Sequence, residues 1–480
     1  MYTTVNFFDH SVWRSIMLIT LLLCSLLVAN IIKRRVPGLK NSLIPNSVLG
    51  GILLLIASLI VYLVKGEYLF NLSLFSKDGS GINILETLTY HCLAIGFIAM
   101  TLRPVDKSDK KGRSREIVNS GVSTICTYLI QGIVGMVITF IASKFISNFA
   151  SGSGVLLCFG YGQGTGQALN IGKNFDKTMG TTSYASFGLA MAALGFLTAS
   201  IVGVIYLNHL RRHHKIDPKK AEQGTDTMMH TVQTKDELPM NESVDKLSLQ
   251  AALVALSYLL AYGMMYLLGN VILGEGSSMI GTIYGFNFIF GVLAAVIVKG
   301  VMNFLRKKNI VKHEYRNTFL LNRISGVAFD IMIVSGICAI QLHVLTSFWF
   351  VILLLAVVGA LVTFFYLRAV TKKLFPNYEN EQFLAFFGML TGTASTGMIL
   401  LREADPDLKT PVSENLVYQN FPAIILGLPV LIIAGRLTSH AADPTNTILM
   451  WGIFVLIFII LNIFLFRSVI FKKKGQNKQE

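Results

Sequence analysis

Long, unbroken runs of apolar residues follow one another along most of the chain. Apolar and polar positions do not alternate within them, so the pattern favours helices over strands. A helix satisfies its backbone hydrogen bonds internally and can therefore cross a lipid bilayer. The sequence predicts an all-α membrane protein with eleven spans, at about 11–32, 44–64, 85–102, 117–145, 180–208, 247–269, 281–305, 322–344, 346–371, 412–436 and 446–471.

Two further segments are too rich in glycine and hydroxyl residues to form ordinary spans. They are 151–175, which contains seven glycines in 25 residues, and 382–402, which contains the run Thr391–Gly397. Each interior glycine would cost a continuous helix up to about 1 kcal/mol. We therefore predict two re-entrant segments, each made of two half-helices joined by unwound backbone. Such backbone is tolerated at membrane depth where it faces protein or a water-filled cavity.

The distribution of charge supports this arrangement. Only 14% of the 480 residues are charged, against about 25% in soluble domains. A net charge of +15 would suggest nucleic acid binding in a soluble protein. If neither glycine-rich segment crosses the membrane, 34 of the 41 Lys and Arg residues fall on one side, and the positive-inside rule makes that side cytoplasmic. We expect a multi-pass protein surrounded by membrane lipid, with its N-terminus outside, its C-terminus cytoplasmic and no nucleic acid partner.

An internal repeat relates the two halves of the chain. Residues Phe159–Gly166 match Phe387–Ala394 at an offset of 228 residues. Each half has five spans, and an odd number inverts the second half relative to the first. The sequence thus predicts inverted repeats at 1–208 and 247–436, a polar cytoplasmic linker at 209–246, and an extra C-terminal span with a basic tail at 437–480. Inverted repeats with broken helices are typical of secondary transporters.

Several short motifs occur in the order in which a known family has them. They are Ile44–Gly51, Gly160–Thr165, Phe187–Gly195, Ala339–Leu342, Tyr378–Glu381 and Gly388–Thr396. With these motifs the chain resembles the bacterial sodium/glutamate symporter family over most of residues 11–436. The resemblance implies import of L-glutamate with Na⁺ as the coupling ion, in the bacterial inner membrane, by a transporter rather than an enzyme. We also expect a homodimer.

The substrate and the protein class each have an alternative. The family commonly has histidine where Gln163 stands, so another small carboxylate, such as citrate or malate, is the alternative substrate. A passive channel is the alternative from a different class, although channel repeats are usually parallel around a pore. A membrane-embedded enzyme is disfavoured because the sequence contains neither an HExxH nor a GxSxG motif.

The glycine-rich tips carry the candidate binding residues. Freed N–H groups at the start of a half-helix attract a carboxylate, whereas freed carbonyls and hydroxyls coordinate Na⁺. The candidate contacts to a small anionic substrate are Asn420, which lies at membrane depth next to Pro422 in the predicted span 412–436, and the tip residues Gly162, Gln163, Gly164, Thr165, Gly166, Gly392, Thr393, Ser395 and Thr396. The alternative is that the glycines only permit close helix packing.

The candidate sodium ligands are Thr165, Asp330, Thr391 and Thr393. Asp330 lies inside a predicted span, and an ionisable residue at membrane depth is a functional candidate. We predict that it binds Na⁺, with a proton carrier or a structural partner of Arg323 as the alternatives.

Overall fold

Eleven helices in the described part of the chain are long and apolar enough to cross a membrane. The computed structural model describes residues 7–8, 10–40, 43–104, 114–213, 245–274, 280–311, 313–405 and 409–476. The eleven helices overlap the eleven predicted apolar runs, so the prediction of an all-helical membrane protein is confirmed. The predicted linker at 209–246 lies almost entirely outside the described residues.

The chain consists of long helices, which include the candidate spans, and several shorter helices between them. The first half contains α1 (His10–Arg35), α2 (Pro37–Lys40), α3 (Asn46–Lys65), α4 (Gly81–Leu102), α5 (Ser114–Ala142), α6 (Leu156–Gln163), α7 (Thr165–Met179) and α8 (Ser183–Arg212). The second half contains α9 (Lys246–Tyr266), α10 (Ile280–Gly285), α11 (Asn287–Lys307), α12 (Thr318–Cys338), α13 (Trp349–Leu374), α14 (Glu379–Thr391), α15 (Ala394–Ala404), α16 (Val412–Tyr418), α17 (Asn420–Ser439) and α18 (Pro444–Gln476).

One predicted span is two helices. The run 412–436 divides into α16 and α17, which are separated at Gln419. Pro422 explains the break, because proline has no N–H to donate to the carbonyl of Tyr418 four residues earlier and its ring crowds that carbonyl. The interruption places Asn420 at the first position of a new helix.

Each glycine-rich segment forms a pair of helices with a break between them. The first pair, α6 and α7, breaks at Gly164, and the second pair, α14 and α15, breaks at Gly392 and Thr393. Gly164 and Gly392 are separated by the same 228 residues as the sequence repeat. Gly164 has φ 78° and ψ −169°, a backbone conformation that is essentially restricted to glycine.

The outer ends of the two broken pairs, away from their breaks, lie at opposite ends of α8. The N–H of Ala150, which precedes α6, donates a 2.6 Å hydrogen bond to the Tyr184 hydroxyl at the start of α8. At the other end of α8, Arg211 pairs with Glu403 near the end of α15 at 2.7 Å. Between these ends, α8 approaches both pairs closely. A Cβ atom at Gly195 would lie only 2.4 Å from the Thr391 carbonyl oxygen, so a side chain there would push the second pair away.

The spans form two groups according to their packing. The helices α1, α3, α4, α9, α11 and α12 pack mainly against one another, and we call them the frame helices. The helices α5–α8 and α13–α18 form the second group, the core helices, which contains both broken pairs. Contacts between the groups run mainly from α7 and α8 to α4 and α12. The interface between the groups therefore passes beside the first broken pair.

The Asp176 side chain holds the turn between α7 and α8 through hydrogen bonds, and its removal tests how much these bonds contribute to stability. Its carboxylate accepts hydrogen bonds from the N–H groups of Tyr184 (2.8 Å) and Ala185 (2.9 Å) and from the Thr181 hydroxyl (2.9 Å). We expect Asp176→Ala to lower the free energy of unfolding by about 2 kcal/mol or more, because these buried donors lose a charged acceptor. Thermal unfolding of the purified protein measures the loss. The control is Asp443→Ala, which removes an exposed carboxylate with one such bond, to Thr445, and an equal loss there would contradict the assignment.

Candidate functional site

The two helix breaks meet at a cavity of about 150 Å³ on the interface between the frame and core helices. The frame helices contribute seven apolar side chains to its wall: Leu93, Phe97, Met100, Phe288, Ile289, Phe329 and Met332. The polar side chains that line it all come from the core helices: Thr124, Tyr128, Gln163, Gln167, Thr393 and Asn420. None of the described residues that line the cavity carries a charge.

At the first break, the end of α6 is fixed by the neighbouring helix α5. The Tyr128 hydroxyl donates a 3.0 Å hydrogen bond to the carbonyl of Gly162, which α6 leaves free at its C-terminal end. Gly162 cannot carry a side chain here, since a Cβ atom would lie 2.1 Å from the Tyr128 ring. Gln163, the last residue of α6, lines the cavity.

At the second break, Thr393 occupies the N-cap position of α15. Its hydroxyl accepts a 3.2 Å hydrogen bond from the N–H of Thr396. One of the N–H groups at the start of α15 therefore has an acceptor within the protein. The preceding carbonyl of Leu390, at the end of α14, accepts a 3.0 Å hydrogen bond from Gln131 of α5. The helix α5 therefore supports both tips.

The structure brings some of the predicted substrate contacts into the cavity and leaves others behind its wall. The predicted residues that line it are Gly162, Gln163, Gly392, Thr393 and Asn420. Gly164 and Gly166 lie in the first tip, with Gly166 against Leu93. Thr396 is buried in the first turn of α15. Ser395 belongs to the same turn, and its side chain is not among those that the structure describes.

Of the predicted sodium ligands, Thr393 alone lines the cavity. Thr165 is buried and donates its hydroxyl proton to the Met332 carbonyl at 3.2 Å. Thr391 is also buried and donates to the Phe387 carbonyl one turn earlier in α14, at 2.6 Å. Asp330 does not line the cavity and lies next to the Ser47 hydroxyl of α3.

Three polar cavity residues were not among the sequence predictions: Thr124, Tyr128 and Gln167. Gln167 comes one residue after the predicted stretch at the first tip. Thr124 and Tyr128 are separated by four residues and so share one face of α5. Their polar groups inside an otherwise apolar span were the available signal, but periodicity alone does not show which neighbour a polar face meets.

A second cavity continues from the first toward the end of the molecule where Lys and Arg residues are concentrated. The two cavities share Phe97, Met100, Asn420 and Ile424, and the second is also lined by Arg103 and Lys299. Burial lowers the pKa of Arg103, and the nearby Tyr418 offsets part of that effect. A guanidinium nevertheless stays protonated in proteins, so this passage, which we call the vestibule, is electropositive.

At the opposite end of the cavity, the core helix α7 contacts the frame helix α4 and the short helix α10. Lys173 of α7 pairs with Glu86 of α4 at 2.6 Å. Nearby, the Asn170 side chain of α7 donates to the Gly285 carbonyl at 2.8 Å. The vestibule therefore leads from the cavity toward Arg103 and Lys299, and the contacts of Lys173 and Asn170 lie at the opposite end.

A multi-pass membrane protein with two interrupted helices that meet at an enclosed site has the architecture of a secondary transporter. The sequence model of the sodium/glutamate symporter family matches residues 11–401. The chain therefore belongs to the sodium/glutamate symporter family, a family of transporters. A search among curated proteins found no match to the chain. The family match ends within α15, so the helix that carries Asn420 lies beyond it.

Proposed function

We propose that this protein imports L-glutamate together with Na⁺ by alternating access. The observation that carries the proposal is the uncharged cavity in which both helix breaks meet, in a chain of the sodium/glutamate symporter family. Its polar lining suits a small ligand that hydrogen-bonds to amides, hydroxyls and free backbone groups.

An anionic substrate in an uncharged cavity requires a compensating cation. Moving a carboxylate out of water is costly unless it is paired or hydrogen-bonded, and a helix N-terminus supplies only about half an elementary charge. A Na⁺ ion bound nearby would supply the rest of the positive charge that the carboxylate needs. Because the ion and the substrate each lower the cost of burying the other, neither binds well alone, and this dependence couples their transport.

The sodium ligands that we propose are oxygen atoms of the two tips. Thr393 is at the cavity. Thr165 and Thr391 use their hydroxyl protons in hydrogen bonds to carbonyls, which leaves their oxygen lone pairs free to accept a cation. Asp330, beside Ser47, is the proposed ligand of a separate cation.

We further propose that the two halves, 1–208 and 247–436, are inverted repeats with re-entrant segments at about 151–175 and 382–402, joined by the linker 209–246 and followed by an extra span in 437–480. The packing supports this proposal. Helix α3 packs against α12 as α11 packs against α4, and α8 packs against α15 as α17 packs against α7. The broken pairs also open at opposite ends of α8.

The division of the cavity wall supports a specific form of alternating access. All its polar side chains belong to the core helices, whereas the frame helices present only apolar side chains. An apolar wall forms no directional bonds to the substrate, so the core helices could move along it and carry the ligands with them. The vestibule would face the cytoplasm of a bacterial cell, with the N-terminus outside and the C-terminus inside, and we expect the protein to act as a homodimer in the inner membrane.

The test is uptake into proteoliposomes with imposed ion gradients. We expect L-glutamate uptake with external Na⁺ and none when choline replaces it. With one net positive charge per cycle, 100 mV inside negative contributes about 2.3 kcal/mol, or about a 40-fold change in accumulation at equilibrium. Equal uptake in choline would overturn the coupling. Citrate and malate, tested in parallel, examine the alternative substrates, and saturation distinguishes a transporter from a passive channel.

A further inference from the structure

Gln167 is a buried glutamine whose side-chain amide has no hydrogen-bond partner in the protein. It lies in the first turn of α7, is 1% exposed and lines the central cavity. Neither its amide nitrogen nor its amide oxygen makes a hydrogen bond. A carboxamide has two donor protons and an acceptor oxygen, and burying these groups unpaired is unfavourable. A protein keeps such a group when something other than the protein satisfies it.

Other buried glutamines of the core helices are held by the protein. Gln131 donates to Thr363 and to the Leu390 carbonyl. Gln419 accepts from Thr124, and Gln382 accepts from Asn415. Gln131 and Gln382 each leave one amide atom unpaired, whereas in Gln167, at the cavity, neither amide atom has a partner.

The start of α7, in the same turn as Gln167, has no side-chain cap. Its N-cap residue, Gly164, has no side chain and makes no capping hydrogen bond. The first turn of a helix has N–H groups without intrahelical acceptors, and no side chain caps those of α7, which include the N–H of Gln167 itself. The start of α15 differs, because Thr393 accepts from the N–H of Thr396. The two tips are thus chemically unequal, since a side chain caps the helix start at the second tip and none does at the first.

We propose that the first turn of α7 and the Gln167 amide form the subsite for the α-carboxylate and α-ammonium groups of an amino-acid substrate. The free N–H groups and the amide nitrogen donate to the carboxylate, and the amide oxygen accepts from the ammonium. This inference rests on the proposed function, since it assumes that the cavity takes the substrate. It also explains how an uncharged cavity selects an amino acid over a carboxylate without an ammonium group.

The test compares binding and stability in the purified full-length protein with Na⁺ present. Gln167→Met keeps the side-chain volume and removes the amide. We expect its L-glutamate affinity to fall by roughly ten- to a hundredfold, as for a lost hydrogen bond to a charged group. Its melting temperature without substrate should be unchanged or higher, because an unpaired buried amide is gone. The conservative variant Gln167→Asn should recover part of the affinity.

The matched control is Gln382→Met in α14, where the same substitution removes a buried amide outside the cavity. It loses the hydrogen bond from Asn415, so we expect a lower melting temperature and wild-type affinity. Glutarate, which lacks the ammonium group, should lose less affinity than L-glutamate in Gln167→Met.

The possible outcomes distinguish the proposed Gln167 subsite from the proposed function of the protein. If wild type binds L-glutamate and Gln167→Met binds it equally well, the subsite is wrong and the proposed function stands. If Gln167→Met melts lower without substrate and keeps its affinity, Gln167 is structural and the subsite is again wrong. If wild type binds no L-glutamate in Na⁺, the proposed function fails, and the subsite for an amino acid fails with it.

Discussion

A protein carrying Gly164→Ala is expected to insert and fold but to lose at least tenfold in transport rate. Gly164 has φ 78° and ψ −169°, and a non-glycine residue there costs about 1–3 kcal/mol. A free-energy cost of that size lowers the population of the native tip by roughly 5- to 150-fold. Steric crowding does not contribute, because the nearest atoms to an added Cβ are Phe196 Cζ at 3.7 Å and Met332 Cε at 4.0 Å. Relief of the strain would rotate the peptide that positions the first turn of α7.

The opposite end of the same helix offers a matched control. Gly180 ends α7 with φ 65° and ψ 33°, a left-handed conformation that asparagine also adopts. We therefore expect Gly180→Asn to transport normally and Gly164→Asn to fail like Gly164→Ala. Initial rates of Na⁺-driven uptake, normalised to the amount of inserted protein, measure the difference. Full activity in both Gly164 variants would mean that the shape of the tip is not required.

The positions of the helix breaks could be predicted from the sequence because their cause is local. A stretch with seven glycines disfavours one continuous helix, and the break occurs at Gly164, inside the predicted segment. The second break, at Gly392 and Thr393, likewise lies inside the predicted segment 382–402. Apolar runs likewise predict spans, since length and hydropathy decide whether a helix crosses a bilayer.

The lining of the cavity could be predicted only in part, because it depends on which helices pack together. Thr165 and Thr391 have the chemistry of sodium ligands, yet their hydroxyls are turned toward backbone carbonyls. Gln167 was missed because nothing in its sequence neighbourhood shows that its amide lacks a partner. Asn420 was selected for its depth next to Pro422, and the structure places it at the junction of the cavity and the vestibule.

Alternating access requires the frame and core helices to separate at the Glu86 end of the cavity, and the ion pair between Glu86 and Lys173 is a contact there that mutation can reverse. The pair joins a frame helix to a core helix. Lys173 is half exposed, so the attraction is best taken at its value in water, about 1 kcal/mol. In Glu86→Lys a repulsion of similar size replaces it, a change of about 2 kcal/mol, which shifts the balance toward the state open at this face roughly 30-fold.

We expect Glu86→Lys to increase labelling of a Gln163→Cys reporter by an impermeant thiol reagent added on the Glu86 face, and to reduce uptake at least tenfold. The five native cysteines are replaced first, and that background is checked for transport. Adding Lys173→Glu restores opposite charges and should return labelling and uptake toward their starting values. The control is Glu403→Gln, which breaks the 2.7 Å pair with Arg211 inside the core helices and should leave labelling from the Glu86 face unchanged. Unchanged labelling in Glu86→Lys, or no recovery in the double variant, would show that this pair does not hold the end closed.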